Sequence, residues 1–193
     1  MKRIKRFIGN FRSTEQYIER IKTGTNGAAL EALYFLQERG ILKDGSLRDA
    51  NLQGAKLAKA TLATSDFVGI NLSEADLSHS YFHAADLSNA NLTATKLVDA
   101  NLREAILVGA TLNQADLTRC NLARTDLSGA DLSQATLTKA NLWSTNLAGA
   151  NLRGAVLYGA NVEQLRCDAS TILPDGKNWS ENADWTTFTR PTS

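Results

Sequence analysis

From Leu47 to Val162 a large apolar residue returns at every fifth position, 24 times in succession. Leu47, Leu52, Leu57, Leu62, Phe67 and Leu72 open the series, and Leu142, Leu147, Leu152, Leu157 and Val162 close it. A period of five fits no single regular element. An amphipathic helix repeats near 3.6 residues and a half-buried strand at 2. One continuous helix would scatter these leucines around its barrel, and one continuous strand would send successive leucines to opposite faces. The chain must instead turn a corner in every pentad, so that all 24 side chains point into one interior. Repeats too short to bury their own apolar face gain stability only by stacking.

The other positions of the pentad agree. Two residues before each large residue stands a small one, such as Ala50, Ala55, Ala60, Ser65, Ala75 and Ser80, with Ile70 the main exception. An extended segment points positions i and i−2 to the same side, so one large and one small side chain share each wall of a narrow, dense core. Between them, at i−1, lie outward polar residues such as Asn51, Asp66, Asn71 and Asp76, read as a solvated face. Positions i+1 and i+2 make the corner, which suits Gly54, Gly69, Gly109, Gly129, Gly149, Gly154 and Gly159.

The strings ADLSH, ANLTA, ANLRE, ADLTR, ADLSG, ANLAG and ANLRG resemble the A(D/N)LXX consensus of the pentapeptide-repeat proteins, over residues 45–164. The resemblance implies an all-β solenoid, a right-handed quadrilateral β-helix with four pentads per coil. Twenty-four pentads then make about six coils, stacked at ~4.8 Å into a rod roughly 29 Å long. The lead-in that ends KDGSL is similar to the helical start of many bacterial members, mostly cyanobacterial.

Both ends carry signs of caps, which an open sheet edge requires. Residues 1–44 form a basic start and a helical N-terminal cap. Ser13 and Gln16 have capping-box spacing, Asn26 is the expected cap of a helix over 28–39, and Gly40 its stop. Residues 165–193 form a short C-terminal cap and tail. Here Leu165 breaks the small-residue register, Pro174-Asp175-Gly176 marks a turn, and Trp179, Trp185 and Phe188 supply bulk for a lid. The last five residues are expected to fray.

Composition narrows the chemistry. The 193 residues carry 21 basic and 20 acidic side chains, so no overall charge bias selects a partner. No apolar run is long enough for a membrane span, the start lacks a signal-peptide core, and the expected compartment is the cytoplasm. Two cysteines make no disulfide framework; Cys120 falls in the small inward register, and Cys167 has no assigned role. Only two histidines occur, His79 and His83, and a coil corner separates them, which defeats a helical metal pair. No catalytic, phosphate-cradling or metal-binding motif appears. An enzyme, a metal and a cofactor are therefore not expected.

With coils advancing by 20 residues, surface columns can be read from residue numbers. His79, Tyr81, His83, Arg103, Arg119, Arg124, Lys139 and Trp143 then fall on one wall, a basic and aromatic surface with Glu104 beside it. Arg and Trp are enriched at interface hot spots, so this wall is the candidate protein-binding surface, weighed against ordinary surface scatter. Residues 1–12 hold five basic and no acidic residues, with Ile4, Phe7, Ile8 and Phe11 at helical spacing. That stretch suits docking on the cap, disorder, or contact with an anionic membrane or nucleic acid.

Two functions follow. The first is a non-catalytic structural and interaction module, a rod that binds a protein partner through one wall, as a monomer or homodimer. The second comes from the family resemblance, which includes mimics of duplex DNA that protect DNA gyrase from quinolones. Residues 45–164 carry 11 acids and 9 bases. That is a weak imitation of one charge per ~1.7 Å of duplex, and the rod itself is not expected to bind nucleic acid.

Overall fold

A computed structural model describes residues 13–190. The basic stretch at 1–12 and the final three residues of the tail lie outside the described residues. Two helices, α1 (Thr14–Thr23) and α2 (Asn26–Glu38), precede the coils, and a short helix, α3 (Thr186–Thr189), follows them.

Between the helices the chain winds with an offset of 20 residues. Parallel bridges join Asn51 to Asn71, Lys56 to Asp76, Thr61 to Tyr81 and Asp66 to Asp86, and each column continues upward at the same offset. Four columns per turn give a four-sided β-helix. Its sides are named here by their first bridged residue: the Asn51, Lys56, Thr61 and Asp66 faces.

The backbone explains why five residues suffice for one side. In the pentad 126–130 all five N–H groups find acceptors. Asp126 N–H donates to the Ala105 carbonyl of the coil below (3.0 Å), and Leu127 and Gly129 donate to Asn146 and Ala148 of the coil above (2.8 and 2.9 Å). Ala130 N–H closes the corner onto the Leu127 carbonyl (3.1 Å). The fifth donor, Ser128 N–H, is accepted by the Asp126 carboxylate at 2.9 Å. In the same way the Gln53, Thr93 and Arg103 N–H groups donate to the side-chain oxygens of Asn51, Asn91 and Asn101. The Asp/Asn residues at i−1 are therefore not merely a solvated face. Each supplies the one acceptor that the coil-to-coil ladder lacks, which a buried or half-buried N–H requires. Several also bond to the coil below, as Asn146 Nδ2 donates to Asp126 (3.0 Å) and Asn151 Nδ2 to Asp131 (3.2 Å).

The interior follows the predicted register. Leu102, Leu107, Leu112, Leu117 and Leu122 are fully buried, as are Ala85, Ala90, Ala110 and Ala115 at the small position. Ile70, the large residue in the small column, is buried too, and Phe67 and Phe82 meet edge to face at 6.4 Å. Threonine fits the small column because its hydroxyl is satisfied. Thr95, Thr125 and Thr145 donate to the Leu72, Leu102 and Leu122 carbonyls at 2.7–2.8 Å. Cys120 occupies the same column as a free, fully buried thiol.

The N-terminal helices extend this core, since Tyr17, Ile21, Ala29, Leu33 and Leu36 are buried in one cluster with the first coils. At the start of α1, Gln16 accepts from the Ser13 N–H at 3.4 Å. The cap of α2 is Thr25, whose Oγ1 accepts from Ala28 N–H, rather than Asn26. Asn26 lies in the first turn and reaches the Ala58 carbonyl with Nδ2 (3.3 Å), tying helix to coil. Gly40, at φ +74°, ends α2, with Gly40 and Ile41 donating back to Gln37 and Leu36.

At the other end the ladder runs past the expected break. Arg166 pairs with Asn146, and after one extra residue Ile172 pairs with Asn151. A turn through Pro174 to Gly176 then brings Asn178 antiparallel to Ile172. Trp185 and Phe188 pack against the core as the lid, in edge contact at 6.1 Å.

Candidate interaction face

Every corner of the coil places its second residue, i+2, in the left-handed region, from Asp49 at φ 56° to Gln164 at φ 57°. L-residues pay about 1–2 kcal/mol for that conformation, glycine does not, and Asn and Asp tolerate it best. Glycine is nevertheless distributed unevenly. The corner column that starts at Asp49 continues Gly69, Asn89, Gly109, Gly129 and Gly149, all residues suited to it. The next column reads Gly54, Glu74, Ala94, Gln114, Gln134 and Gly154. The two columns that flank the Thr61 face read Lys59, His79, Asp99, Arg119, Lys139, Gly159 and Thr64, Ala84, Glu104, Arg124, Ser144, Gln164. Six of the seven coil glycines thus lie on the two other corners, and eleven of the twelve corner positions around this face hold a side chain in the strained conformation.

The sequence-predicted wall is this face. Tyr81 sits at its middle, His79, Arg119 and Lys139 along one corner, and His83, Arg103, Arg124 and Trp143 along the other. The side chains do not form a continuous basic strip, because two carboxylates gather them. Asp99 accepts two bonds from Arg119, at 2.7 Å from Nε and 2.6 Å from Nη2, and His79 Nδ1 lies 3.9 Å from it. The Arg119 guanidinium holds the Asp99 carboxyl below its ordinary value, and Asp99 raises the guanidinium in turn. Glu104 receives Arg103 at 3.1 Å, Arg124 at 3.6 Å and His83 Nε2 at 3.8 Å. His83 Nδ1 also lies 3.0 Å from the Arg103 carbonyl, and its ring lies 6.0 Å from that of Tyr81. Arg124 stacks over Trp143, 5.0 Å from its ring centre. Lys139 makes none of the ion pairs among the described residues. Of the eight carboxylate pairs there, five belong to this face, the two through His79 and His83 being charged only when the histidine is protonated.

Sequence reasoning missed the pairing role of Asp99, although Glu104 was seen on the same side. It also missed an open groove of about 470 Å³ between Val156, Tyr158 and α3, lined by Phe188 and Arg190. The signal was there: Val156 and Tyr158 are apolar at outward positions and remain 50% and 43% exposed. Among the described residues no group of His, Cys, Asp or Glu could hold a metal ion, and no helix is long and apolar enough to cross a membrane.

Eight copies of the family model described as pentapeptide repeats match the chain, over residues 46–83, 56–93, 95–134 and 135–165. That is more than half of its length, and the chain belongs to the pentapeptide-repeat family, whose fold is a right-handed β-helical solenoid. Among solved structures it is similar to HetL, a pentapeptide repeat protein involved in heterocyst differentiation regulation from the cyanobacterium Nostoc sp. strain PCC 7120. The identity is 29%, over 67% of this chain and 78% of HetL, at a TM-score of 0.31. It is also similar to a pentapeptide repeat protein of the Arabidopsis thaliana thylakoid lumen, at 30% identity over 60% and 67% of the two chains and a TM-score of 0.30. A trypsin-treated form of QnrB1, a plasmid-mediated fluoroquinolone resistance protein, matches at 20% identity over 63% and 81%, with a TM-score of 0.39. No curated protein matches the chain. Family membership rests on the repeat match rather than on these superpositions.

Proposed function

We propose that this protein is a non-catalytic interaction module, a rigid β-helical rod that binds a protein partner through the Thr61 face. The observation that carries the reading is the distribution of corner residues. Glycine would relieve the strain at these corners, yet it takes one of their twelve positions, against six of the twelve on the other two. Here Arg119, Arg124, Lys139, Glu104 and His79 keep their side chains at that cost. Strain retained where a cheaper residue fits is the mark of selection for something other than stability. Arg124 on Trp143, with Arg103 on the same Glu104 carboxylate, has the composition of an interface centre.

The gyrase-directed, DNA-mimicking alternative is disfavoured by charge. The 11 acids of the coils are offset by 9 bases, and Asp66, Asp99 and Glu104 are already paired with arginines. A supercoiling assay with and without quinolone separates the two readings, and the interaction-module reading expects no protection. The direct test places a photo-crosslinking residue at Trp143 or, on an opposite corner, at Gln114, in the native cells. A discrete crosslinked species is expected from position 143 alone, and it should disappear with Arg103→Glu. Equal crosslinking from both positions, or persistence in Arg103→Glu, would sink the reading.

A further inference from the structure

Basic and acidic residues are not shared evenly around the rod. The Thr61 face and its two corners carry Lys59, Arg103, Arg119, Arg124 and Lys139 against three acids, Asp99, Glu104 and Glu163. The rest of residues 45–164 carries eight acids and four bases. A nearly neutral rod therefore has one positive side on an otherwise negative body.

The donors on that side are unequally used. Arg119 commits Nε and Nη2 to Asp99, and Arg103 commits the same two atoms to Glu104. Arg124 reaches Glu104 through a single contact at 3.6 Å, its side chain is 51% exposed, and its guanidinium carbon lies over the Trp143 ring, 5.0 Å from the centre. A guanidinium has five N–H donors in a planar fork suited to a carboxylate, so most of those on Arg124 remain available. Lys139, exposed on the opposite corner one coil on, brings a second cation. Trp143, half-buried between them, offers apolar surface.

We propose that this face recognises an acidic protein segment, which pairs carboxylates with Arg124 and Lys139 and lays an apolar side chain on Trp143. The inference rests on the face being the interaction surface and adds the chemistry of its partner. A phosphate backbone fits less well. Asp99 and Glu104 stand among the cations and would repel a continuous polyanion, and the net surplus on this side is only two charges, too few for strong counterion-driven binding. A folded or extended protein segment can set its carboxylates against Arg124 and Lys139 and leave Glu104 facing a donor.

The test uses the full chain and three labelled probes in fluorescence anisotropy at low salt: a peptide of glutamates around a central leucine, its lysine counterpart, and a short DNA duplex. The acidic peptide should bind most tightly. Arg124→Glu with Lys139→Glu should weaken it by at least about tenfold, a modest loss for two charge contacts. The same charge change at Gln114→Glu with Gln134→Glu, on another corner, should have little effect. If the charge-reversed chain loses its cooperative melt, Arg124→Gln with Lys139→Gln replaces it and should still weaken binding several-fold. Equal binding of the two peptides, tighter binding of DNA, or full affinity in the variants would overturn the proposal. Such a failure with position-143 crosslinking intact would leave the face an interface of other chemistry, whereas loss of that crosslink would remove the interface itself.

Discussion

Exchanging alanine and glycine at two corners tests the strain on which the functional reading depends. Ala84 lies on a corner of the Thr61 face at φ 54°, exposed. Ala84→Gly removes little but the left-handed penalty of about 1–2 kcal/mol. Glycine's greater freedom in the unfolded chain takes back ~0.4–1 kcal/mol. The net is a stabilisation of roughly 0.5–1 kcal/mol. Gly129, on the Asp49 corner at φ +66°, is the mirror case, since a Cβ built there meets nothing within 4 Å. Gly129→Ala should lose about the same ~0.5–1 kcal/mol with no steric contribution. Gly69→Ala should cost more, because its Cβ would run into the Asp49 carboxylate. Urea unfolding reads each as a shift in midpoint at constant slope, and melting as a shift of roughly 1–4 °C in a chain of this length. If Ala84→Gly destabilises the protein, or Gly129→Ala leaves it unchanged, the corners are not strained as claimed. Uneven glycine would then mean nothing for function.

Other perturbations examine the remaining parts of the fold. Leu102 is fully buried, so Leu102→Ala should cost about 2–5 kcal/mol, read by urea unfolding. Leu102→Asp should abolish cooperative melting. Asp126→Ala leaves the Ser128 N–H and Asn146 Nδ2 without an acceptor and should cost ~1–3 kcal/mol, whereas Asp126→Asn should be nearly neutral. The Asp66, Asp99 and Asp168 carboxyls are held below the ordinary value of 3.8 by Arg48, by Arg119 and by the Ser170 hydroxyl respectively. Their contribution is full above that value and lost as pH falls through the lower folded ones, so Asp168→Asn should flatten the acid limb of the stability curve below pH ~4. Burial pushes the Cys167 thiol up to about 11 and the Cys120 thiol higher still. Maleimide labelling should therefore reach Cys167 through opening of the C-terminal end, and Cys120 only on global unfolding.

The five-residue period was sufficient to place Leu47 through Val162 inside, because no other arrangement buries them together. Column arithmetic at an offset of 20 residues also puts His79 and Arg119 on one corner. What the period could not convey was the direction of side chains at the surface. Asn51, Asp126 and Asn101 read as outward polar residues, yet they turn back to the backbone at i+1. The clue was their identity, since Asn and Asp share the habit of accepting from the main chain two residues on. Asp99 and Glu104 escaped notice as organisers for a similar reason. Sequence gives their columns, but which guanidinium each carboxylate gathers depends on side-chain geometry across coils. The C-terminal extension to Ile172 was hidden by one extra residue, which shifts the register without ending the ladder.

The corner position separates scaffold from function more sharply than exposure does. At i−1 an Asp is explained by the N–H it accepts, and at i−2 an Ala by the leucine beside it. Neither choice says anything about a partner. At i+2 glycine escapes the left-handed penalty, so the arginines on the Thr61 corners carry a cost that needs a separate cause. Ion pairing is too weak a cause: Arg124 at 3.6 Å from Glu104, both partly exposed, stabilises the fold little. Arg124→Gly should then leave the protein at least as stable as before while it loses the acidic ligand. A variant that gains or keeps stability and loses binding cannot be explained by a structural role for Arg124. One that unfolds would assign the residue to the scaffold after all.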